Sequence, residues 1–319
     1  MKKIISIILF VGILIYGYIS TYGLRLAKMP MAVYSQETEE RAARIKRHVY
    51  VLSNQIGPRN LFDYENLQKA AQYIMEQFQK AGFELELQDF TVDGKTVSNI
   101  IAQKKGTKHP DKKLIIGASY DSYFSPGADT NASGCAALIE LAEIFAKEST
   151  GLTLRLVAFA NKNAHPLNLG ERGSAVFVNK SKLSNEKIEA AIILDSLGFF
   201  NAKDYSQRYP PILGSFAPDK GHFISFAANL RSLELLRVAE SVFVRNSLLP
   251  IFTVSTFDFI DSDHIHFWKN NIPAILVTDT GPYRNPHYQS LNDVYKTLDY
   301  RKMATLVEGL ASVIRVLTN

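Results

Sequence analysis

The sequence predicts an α/β fold in which a mostly parallel central sheet is flanked by helices and preceded by an N-terminal transmembrane helix. Several short apolar runs end abruptly in polar residues, as buried parallel strands do. Amphipathic stretches with helical spacing lie between these runs, and strands that alternate with helices form βαβ units. The third observation is one long apolar run at the start of the chain.

The composition is that of a globular protein with a modest positive charge. The chain has 319 residues, of which 46% are hydrophobic and 21% are charged, and its net charge is +5. No basic cluster alternates with aromatic residues, so we expect no nucleic-acid partner, whereas the small positive excess suits an anionic membrane surface. The single cysteine, Cys135, excludes an intrachain disulfide and a Cys/His zinc cluster, and its alanine neighbours favour a buried core position.

The first 24 residues predict a membrane anchor. Two lysines precede an apolar run from Ile4 to Leu24, and a transmembrane helix needs about 20 such residues. No Ala-x-Ala cleavage site follows; a cleaved signal peptide, and hence secretion, is the alternative. The N-terminal charges favour a single-pass topology with the main domain outside the cytoplasm. The predicted organisation is an anchor or signal at residues 1–24, a tether at 25–36 and one α/β domain at 37–319.

The spacing of apolar residues predicts the elements of this domain. Helices are expected at Glu37–Gln55, Tyr64–Ala81, Asn131–Lys147, within Gly170–Lys182, and at Phe223–Arg245, Asp263–Asn270 and Tyr300–Leu317. Strands are expected at Phe83–Val92, Val97–Gln103, Leu114–Ala118, Leu154–Ala160, Ala190–Leu194 and Ile272–Thr278. A turn at Asp93-Gly94 joins the first two strands, and a long surface loop is expected at Asp204–Gly221.

Polar residues at the ends of four predicted strands indicate a site. Asp121, the segment 161–163, Asp195 and Asp279 each follow a buried strand. The carboxyl ends of parallel strands meet at one edge of a sheet, and ligands bind outside that edge. We therefore expect these residues to lie around one rim.

Six motifs carry a resemblance to a known family. They are IGPRN near Gly57, PGADTNASG at Pro126, ERGSAVFV at Glu171, LDSLGFF at Leu194, SDHIHFW at Ser262 and TDTGPYRNPHY at Thr278. With them the chain resembles the di-zinc aminopeptidases, metallopeptidase family 28, which include aminopeptidase Y and the peptidase-like domain of the transferrin receptor. The resemblance covers nearly everything after residue 45, and it implies the family's α/β fold for the peptidase-like domain.

The resemblance also implies where two zinc ions would bind. Zinc binds histidine nitrogens and carboxylate oxygens. The family's five ligand positions fall on Ser119, Thr130, Asn163, Asp195 and Gln289, and its catalytic base falls on Lys162. Of these five residues, only Asp195 has a side chain of the kind that normally binds zinc. The resemblance therefore implies a degenerate member without a zinc cofactor: a membrane-anchored pseudopeptidase that binds a peptide or protein partner at the rim.

Two ways of retaining hydrolase activity form the alternative. The four histidines near the motifs, His165, His264, His266 and His287, could rebuild a metal site with Asp195, but no pair has the spacing of a ligand set on one helix or strand end. Ser119 and Lys162 could form a nucleophile and base if Lys162 lost its charge. A third hypothesis is a structural envelope protein whose rim binds nothing small.

Structural roles are the simpler interpretation of the same residues. Without a metal, a partly desolvated Asp195 needs a cation, and we expect Lys162 to form an internal ion pair with it. Three other aspartates could be catalytic, but we favour roles in capping loops and helix starts beside the rim for Asp121, Asp129 and Asp279.

Overall fold

Helices and one sheet cover most of the described residues, which are 34–163, 171–209, 217–255 and 260–319 of the computed structural model. The helices are α1 Gln36–Tyr50, α2 Tyr64–Lys80, α3 Gly134–Ala146, α4 Gly173–Leu183, α5 Leu233–Asn246, α6 His264–Lys269 and α7 Tyr300–Thr318. The strands are β1 Glu84–Val92, β2 Lys95–Lys104, β3 His109–Ser119, β4 Leu152–Phe159, β5 Lys187–Leu194, β6 Ile224–Ala228, β7 Ile251–Ser255 and β8 Ala274–Thr278.

The eight strands form one mixed sheet in the order β1-β2-β4-β3-β5-β8-β6-β7. The central strands β4, β3, β5 and β8 are parallel to one another, as the βαβ pattern predicts. The outer strands are not: β1 and β2 add an antiparallel hairpin at one side, and β6 runs antiparallel to β8 at the other. The predicted mostly parallel sheet is therefore a mixed sheet whose four central strands are parallel, and β6 and β7 form a further parallel pair at its edge.

Helices cover both faces of the sheet, which is why the buried parts of its central strands are mostly apolar. The larger core lies between the sheet and the layer formed by α1, α2, α3, α5 and α7. On the other face Phe159, Phe177 and Phe267 pack together beneath α4 and α6, with ring centroids 5.7 to 6.3 Å apart. Cys135 lies buried in the larger core, as its alanine-rich surroundings predict.

The tight turn between β1 and β2 confirms the hairpin prediction. Asp93 and Gly94 have φ values of 49° and 73°, so both occupy the left-handed region. A two-residue hairpin of this kind needs positive φ at both positions, which Asp-Gly tolerates.

The predicted helix at Phe223–Arg245 is wrong in its first half. Residues Ile224–Ala228 form β6, and the helix α5 begins only at Leu233. A five-residue apolar run fits a buried strand and a buried helical turn equally well by periodicity. β7, which pairs with β6, was missed for the same reason.

The predicted anchor at residues 1–24 lies outside the described residues, and it stays a prediction. Among the described helices none is both long and apolar enough to cross a membrane. The described chain begins just before α1, whose first turn is capped by Ser35: its Oγ accepts a hydrogen bond from the Thr38 amide.

Candidate functional site

The carboxyl edge of the parallel strands brings the predicted rim residues together. β3 ends at Ser119, and β5 ends one residue before Asp195. β4 and β8 end just before the segment 161–163 and Asp279, respectively. All of these residues are buried at the described edge of the sheet, so the site is a polar cluster sunk into the rim.

Arg59 connects the loops that form this rim. Its guanidinium is fully buried and donates hydrogen bonds to five backbone carbonyls, those of Leu52, Gly57, Tyr120, Pro126 and Gly127, at 2.7 to 3.2 Å. The loop after β3 is thereby fastened to the end of the first helical segment. Sequence reasoning recorded the IGPRN motif but assigned Arg59 no role.

Asp121 holds the segment after β4 in place. Its two carboxylate oxygens accept hydrogen bonds from the amides of Lys162 at 2.9 Å and Asn163 at 2.6 Å. Burial raises the pKa of Asp121, and these amide bonds oppose that rise. These contacts agree with the loop-capping role predicted for Asp121.

Lys162 and Asp195 form the predicted ion pair. The Lys162 ammonium donates directly to Asp195 Oδ2, and both side chains are at least 96% buried. Burial by itself lowers the pKa of Lys162, but Asp195, with smaller contributions from Tyr288 and Asp263, more than offsets burial, so the net pKa is raised. Lys162 is therefore a fixed cation at neutral pH.

The other positions at which the resemblance expects zinc ligands carry neutral side chains. Gln289 Nε2 donates to Asn163 Oδ1 at 3.2 Å, so these two amides are joined. Ser119 Oγ lies 3.5 Å from Asn131 Nδ2, and no hydrogen bond to Lys162 exists among the described residues. The Thr130 hydroxyl is buried and has no hydrogen-bond partner within the described part of the chain.

Three buried aspartates support the floor of the rim. Asp129 accepts from the Gly198 amide at 3.0 Å, and Asp279 from the Phe199 amide at 2.7 Å, so both hold the loop after β5. Burial raises the pKa of Asp279 to about 6. Burial also raises the pKa of Asp129 well above its usual range, and the neighbouring Asp279 carboxylate raises it further. Asp293, which sequence reasoning did not single out, accepts from the amides of Asp129 and Thr130.

Asp263 is a second acidic residue that sequence reasoning missed. It is fully buried, and its Oδ1 accepts a hydrogen bond from Ser174 Oγ at 2.6 Å. Burial raises its pKa to about 6, while the nearby Lys162 ammonium lowers it. The sequence feature that could have pointed to Asp263 is the SDHIHFW motif, which contains it.

The histidines do not converge on Asp195 in the described structure. His264 is buried against Trp268, with ring centroids 4.3 Å apart, and the His287 ring meets Phe199 edge-on at 6.2 Å. Burial lowers the pKa of His266 to about 4. His165 lies outside the described residues.

These donors do not fit a di-zinc centre. Among residues 34–163, 171–209, 217–255 and 260–319 no group of three or more His, Cys, Asp or Glu side chains could hold a metal ion. The ligand positions supply one carboxylate, and that carboxylate is neutralised by the Lys162 ammonium. Two dications would face a cation where zinc chemistry requires anionic and imidazole donors.

Comparison with known proteins defines the class of this molecule. The model of peptidase family M28 matches residues 99–314, and the chain belongs to this family. Its fold is that of the zinc aminopeptidases: the structure of BSAP, a zinc aminopeptidase from Bacillus subtilis, aligns with a TM-score of 0.69 over 87% of this chain and 95% of that one, at 14% identity.

Two curated relatives show how far the sequence similarity extends. The protein YfbL of Escherichia coli strain K12 is 30% identical over 98% of this chain and 99% of its own length. Aminopeptidase YwaD of Bacillus subtilis strain 168 is 35% identical over a shorter stretch, which covers 36% of this chain and 24% of YwaD. The similarity to YfbL therefore spans nearly the whole of both chains.

Proposed function

We propose that this chain is a membrane-anchored, aminopeptidase-like protein without zinc-dependent peptidase activity, and that it binds a peptide or protein partner at the carboxyl edge of its sheet. The observation that carries the proposal is the Lys162–Asp195 ion pair. It places a buried ammonium on the one carboxylate among the ligand positions that the resemblance implies. The rest of the rim, polar and held by fixed hydrogen bonds, is suited to recognition.

We expect no zinc-dependent reaction, because the positions of the catalytic base and of most zinc ligands carry residues that cannot perform these roles. A zinc aminopeptidase needs a carboxylate base to take a proton from the attacking water, and Lys162, protonated through Asp195, has no free pair to accept one. The neutral oxygens of Ser119, Thr130 and Asn163 cannot balance the charge of two dications. Asp121, Asp129 and Asp279 each accept a hydrogen bond from a backbone amide, so these carboxylates hold the loops of the rim in place.

Metal analysis of the purified full-length chain, alongside activity on aminoacyl substrates, tests this proposal. We expect zinc well below stoichiometric amounts and no hydrolysis that a chelator abolishes. Two zinc ions per chain, or chelator-sensitive hydrolysis, would overturn it. Hydrolysis that resists chelation but is lost in both Ser119→Ala and Lys162→Met would instead establish the serine–lysine alternative.

The membrane part of the proposal rests on the apolar run at Ile4–Leu24. Insertion of this run would place the M28 domain outside the cytoplasm, tethered by a short segment before α1. Protease added outside spheroplasts should digest the domain, whereas a domain on the cytoplasmic side would be protected. Recovery of the chain in the culture medium would favour the secreted alternative.

A further inference from the structure

The amino edge of the sheet, opposite the candidate site, carries a concentration of basic residues. The segment 104–113, which runs from the last residue of β2 through the first five residues of β3, contains five lysines and one acidic residue. The 11 residues of β3, at about 3.3 Å per residue, separate this edge from the carboxyl edge by roughly 35 Å. The basic segment is thus independent of the rim described above.

Part of this charge is neutralised within the fold, and part is left free. Lys104 donates to the carbonyls of Phe145 and Ala146 at the end of α3, and Lys112 pairs with Glu189 at 3.2 Å. Lys105 and Lys108 are exposed and have no acidic partner among the described residues. These two lysines face solvent with their full charge.

An apolar pocket opens beside this basic segment. It has a volume of about 300 Å³ and lies at the amino ends of β3, β4, β5 and β8. Its apolar lining comprises Leu114, Leu152, Leu235, Val238, Pro273 and Leu317. Its charged lining residues are Glu189, which pairs with Lys112, and the exposed Arg231 and Glu234. The neighbouring Leu230 is 66% exposed. The exposed Lys105 and Lys108 lie in the segment beside this pocket, since the Lys108 amide donates to the Gly151 carbonyl next to Leu152. Free lysines next to an apolar surface are the pattern of a protein face that rests on lipid headgroups.

The start of the described chain lies on the same side of the molecule. α3 runs back from the carboxyl edge and ends at Ala146, one residue before the exposed Lys147. Ser35, just before α1, lines the same groove as Lys147, and Lys104 contacts the adjoining end of α3. The N-terminal segment therefore joins the domain near its basic edge and away from the candidate site.

We propose that the amino edge of the sheet, defined by Lys105, Lys108, Lys147, Arg231 and the apolar pocket that Arg231 lines, docks on an anionic lipid bilayer. This orientation, whose geometry rests on the anchoring proposed above, turns the carboxyl edge and its site away from the membrane. A partner at that site would be met in the aqueous space beyond the bilayer.

A headgroup-quenching experiment on the full-length chain in nanodiscs tests this docking. A fluorophore is placed at the exposed position 109 by His109→Cys, since the native Cys135 is buried, and a second version carries it at Leu291→Cys, which is 75% exposed and follows Gln289 at the site. Nanodiscs contain a headgroup quencher in phosphatidylcholine, with or without phosphatidylglycerol. We expect quenching at position 109 only with the anionic lipid, and none at position 291.

Charge-reversal variants supply the control. Lys105→Glu with Lys108→Glu should weaken the docking equilibrium by at least about tenfold, since each lysine near an anionic surface contributes favourably. Lys69→Glu with Lys203→Glu makes the same charge change on exposed lysines away from the amino edge and should leave the quenching intact. No quenching at position 109, quenching at both positions, or equal loss in both pairs of variants would overturn the proposal.

Failure of the anchor gives a different result from failure of the docking surface. If the chain does not enter nanodiscs, the proposed anchor is wrong, and the same variants are then mixed with phosphatidylglycerol vesicles. Salt-sensitive sedimentation that depends on Lys105 and Lys108 would uphold the surface, and no sedimentation would reject it. Insertion without quenching at position 109 rejects the surface and upholds the anchor.

Discussion

Lys162 is the residue that most distinguishes this site from a metal centre. Its amide is held by Asp121 and its ammonium by Asp195, so backbone and side chain are both fixed. A single charged residue thus occupies two roles: it neutralises the remaining carboxylate and fills the space beside it.

A double-mutant cycle measures the coupling of this pair. Lys162→Met and Asp195→Asn should each lower the free energy of unfolding by about 3 kcal/mol, because each leaves a buried charge without its partner. The double variant should cost less than the sum of the two single changes. Denaturant unfolding of the three variants is the measurement, and strict additivity would show that the two residues do not interact.

Arg59 offers a second test at the residue scale. Arg59→Met should lower the free energy of unfolding by about 3 kcal/mol or more, because five buried carbonyls lose their donor. The matched control is Arg47→Met on the exposed side of α1, which should change stability by less than about 0.5 kcal/mol. If the two substitutions had equal effects in urea unfolding, the hydrogen bonds of Arg59 would not stabilise the fold as proposed.

Among the elements, α1 depends on buried polar contacts as well as on its apolar face. Glu140 of α3 is fully buried and accepts two hydrogen bonds of 3.0 Å from Arg44. His48 is also buried, and its Nδ1 lies 2.7 Å from the Tyr73 hydroxyl of α2. α1 is therefore joined to both neighbouring helices through groups that titrate.

His48 should make the packing of α1 sensitive to acid. Burial, with the positive charges of Arg47 and Arg44, lowers its folded-state pKa from 6.5 to about 4. Between these two pH values the unfolded chain binds more protons, so stability contributed by neutral His48 is full above pH 6.5 and is lost as the pH falls towards 4. The loss is at most about 3 kcal/mol.

The comparison with His48→Gln isolates this effect from other groups. Asp279 and Asp263 have raised pKa values of about 6 and shift stability in the opposite direction over the same range. The difference in unfolding free energy between the wild type and His48→Gln should therefore shrink from pH 7.5 to pH 4.5. A difference that stays constant over this range would mean that folding does not lower the pKa of His48.

At the scale of the whole molecule, the two edges of the sheet have different chemistry. The carboxyl edge carries the buried polar site, and the amino edge carries free lysines beside an apolar pocket. Because the central strands are parallel, the fold separates these surfaces and lets one face a bilayer while the other stays in water.

The anchor is the prediction that concerns the whole chain. The apolar run at Ile4–Leu24 should keep the full-length protein in the membrane fraction after carbonate and high-salt washes, since both remove proteins held only by surface charge. Deletion of residues 1–24 should release it. A soluble form of the wild type that begins past residue 20 would show that the run is a cleaved signal instead.

The sequence by itself determined the class of fold, the central strands and most of the helices. Apolar runs such as Leu114–Ala118 could be recognised as strands, because a strand that is covered on both faces needs apolar side chains at consecutive positions. The sequence also determined which residue types stand at the motif positions, and hence that Lys162 and Asp195 would meet.

Only the tertiary structure decided how the remaining polar groups are satisfied. Residues Ile224–Ala228 form a strand because β8 and β7 pair with them on both sides. The local sequence pattern cannot predict these pairings, since both partner strands are distant in the sequence. Arg59 and Asp293 bind backbone groups far from them in sequence, so their roles depend on loops brought together by the sheet. Local spacing predicts what an element is, whereas long-range contacts decide what its polar residues do.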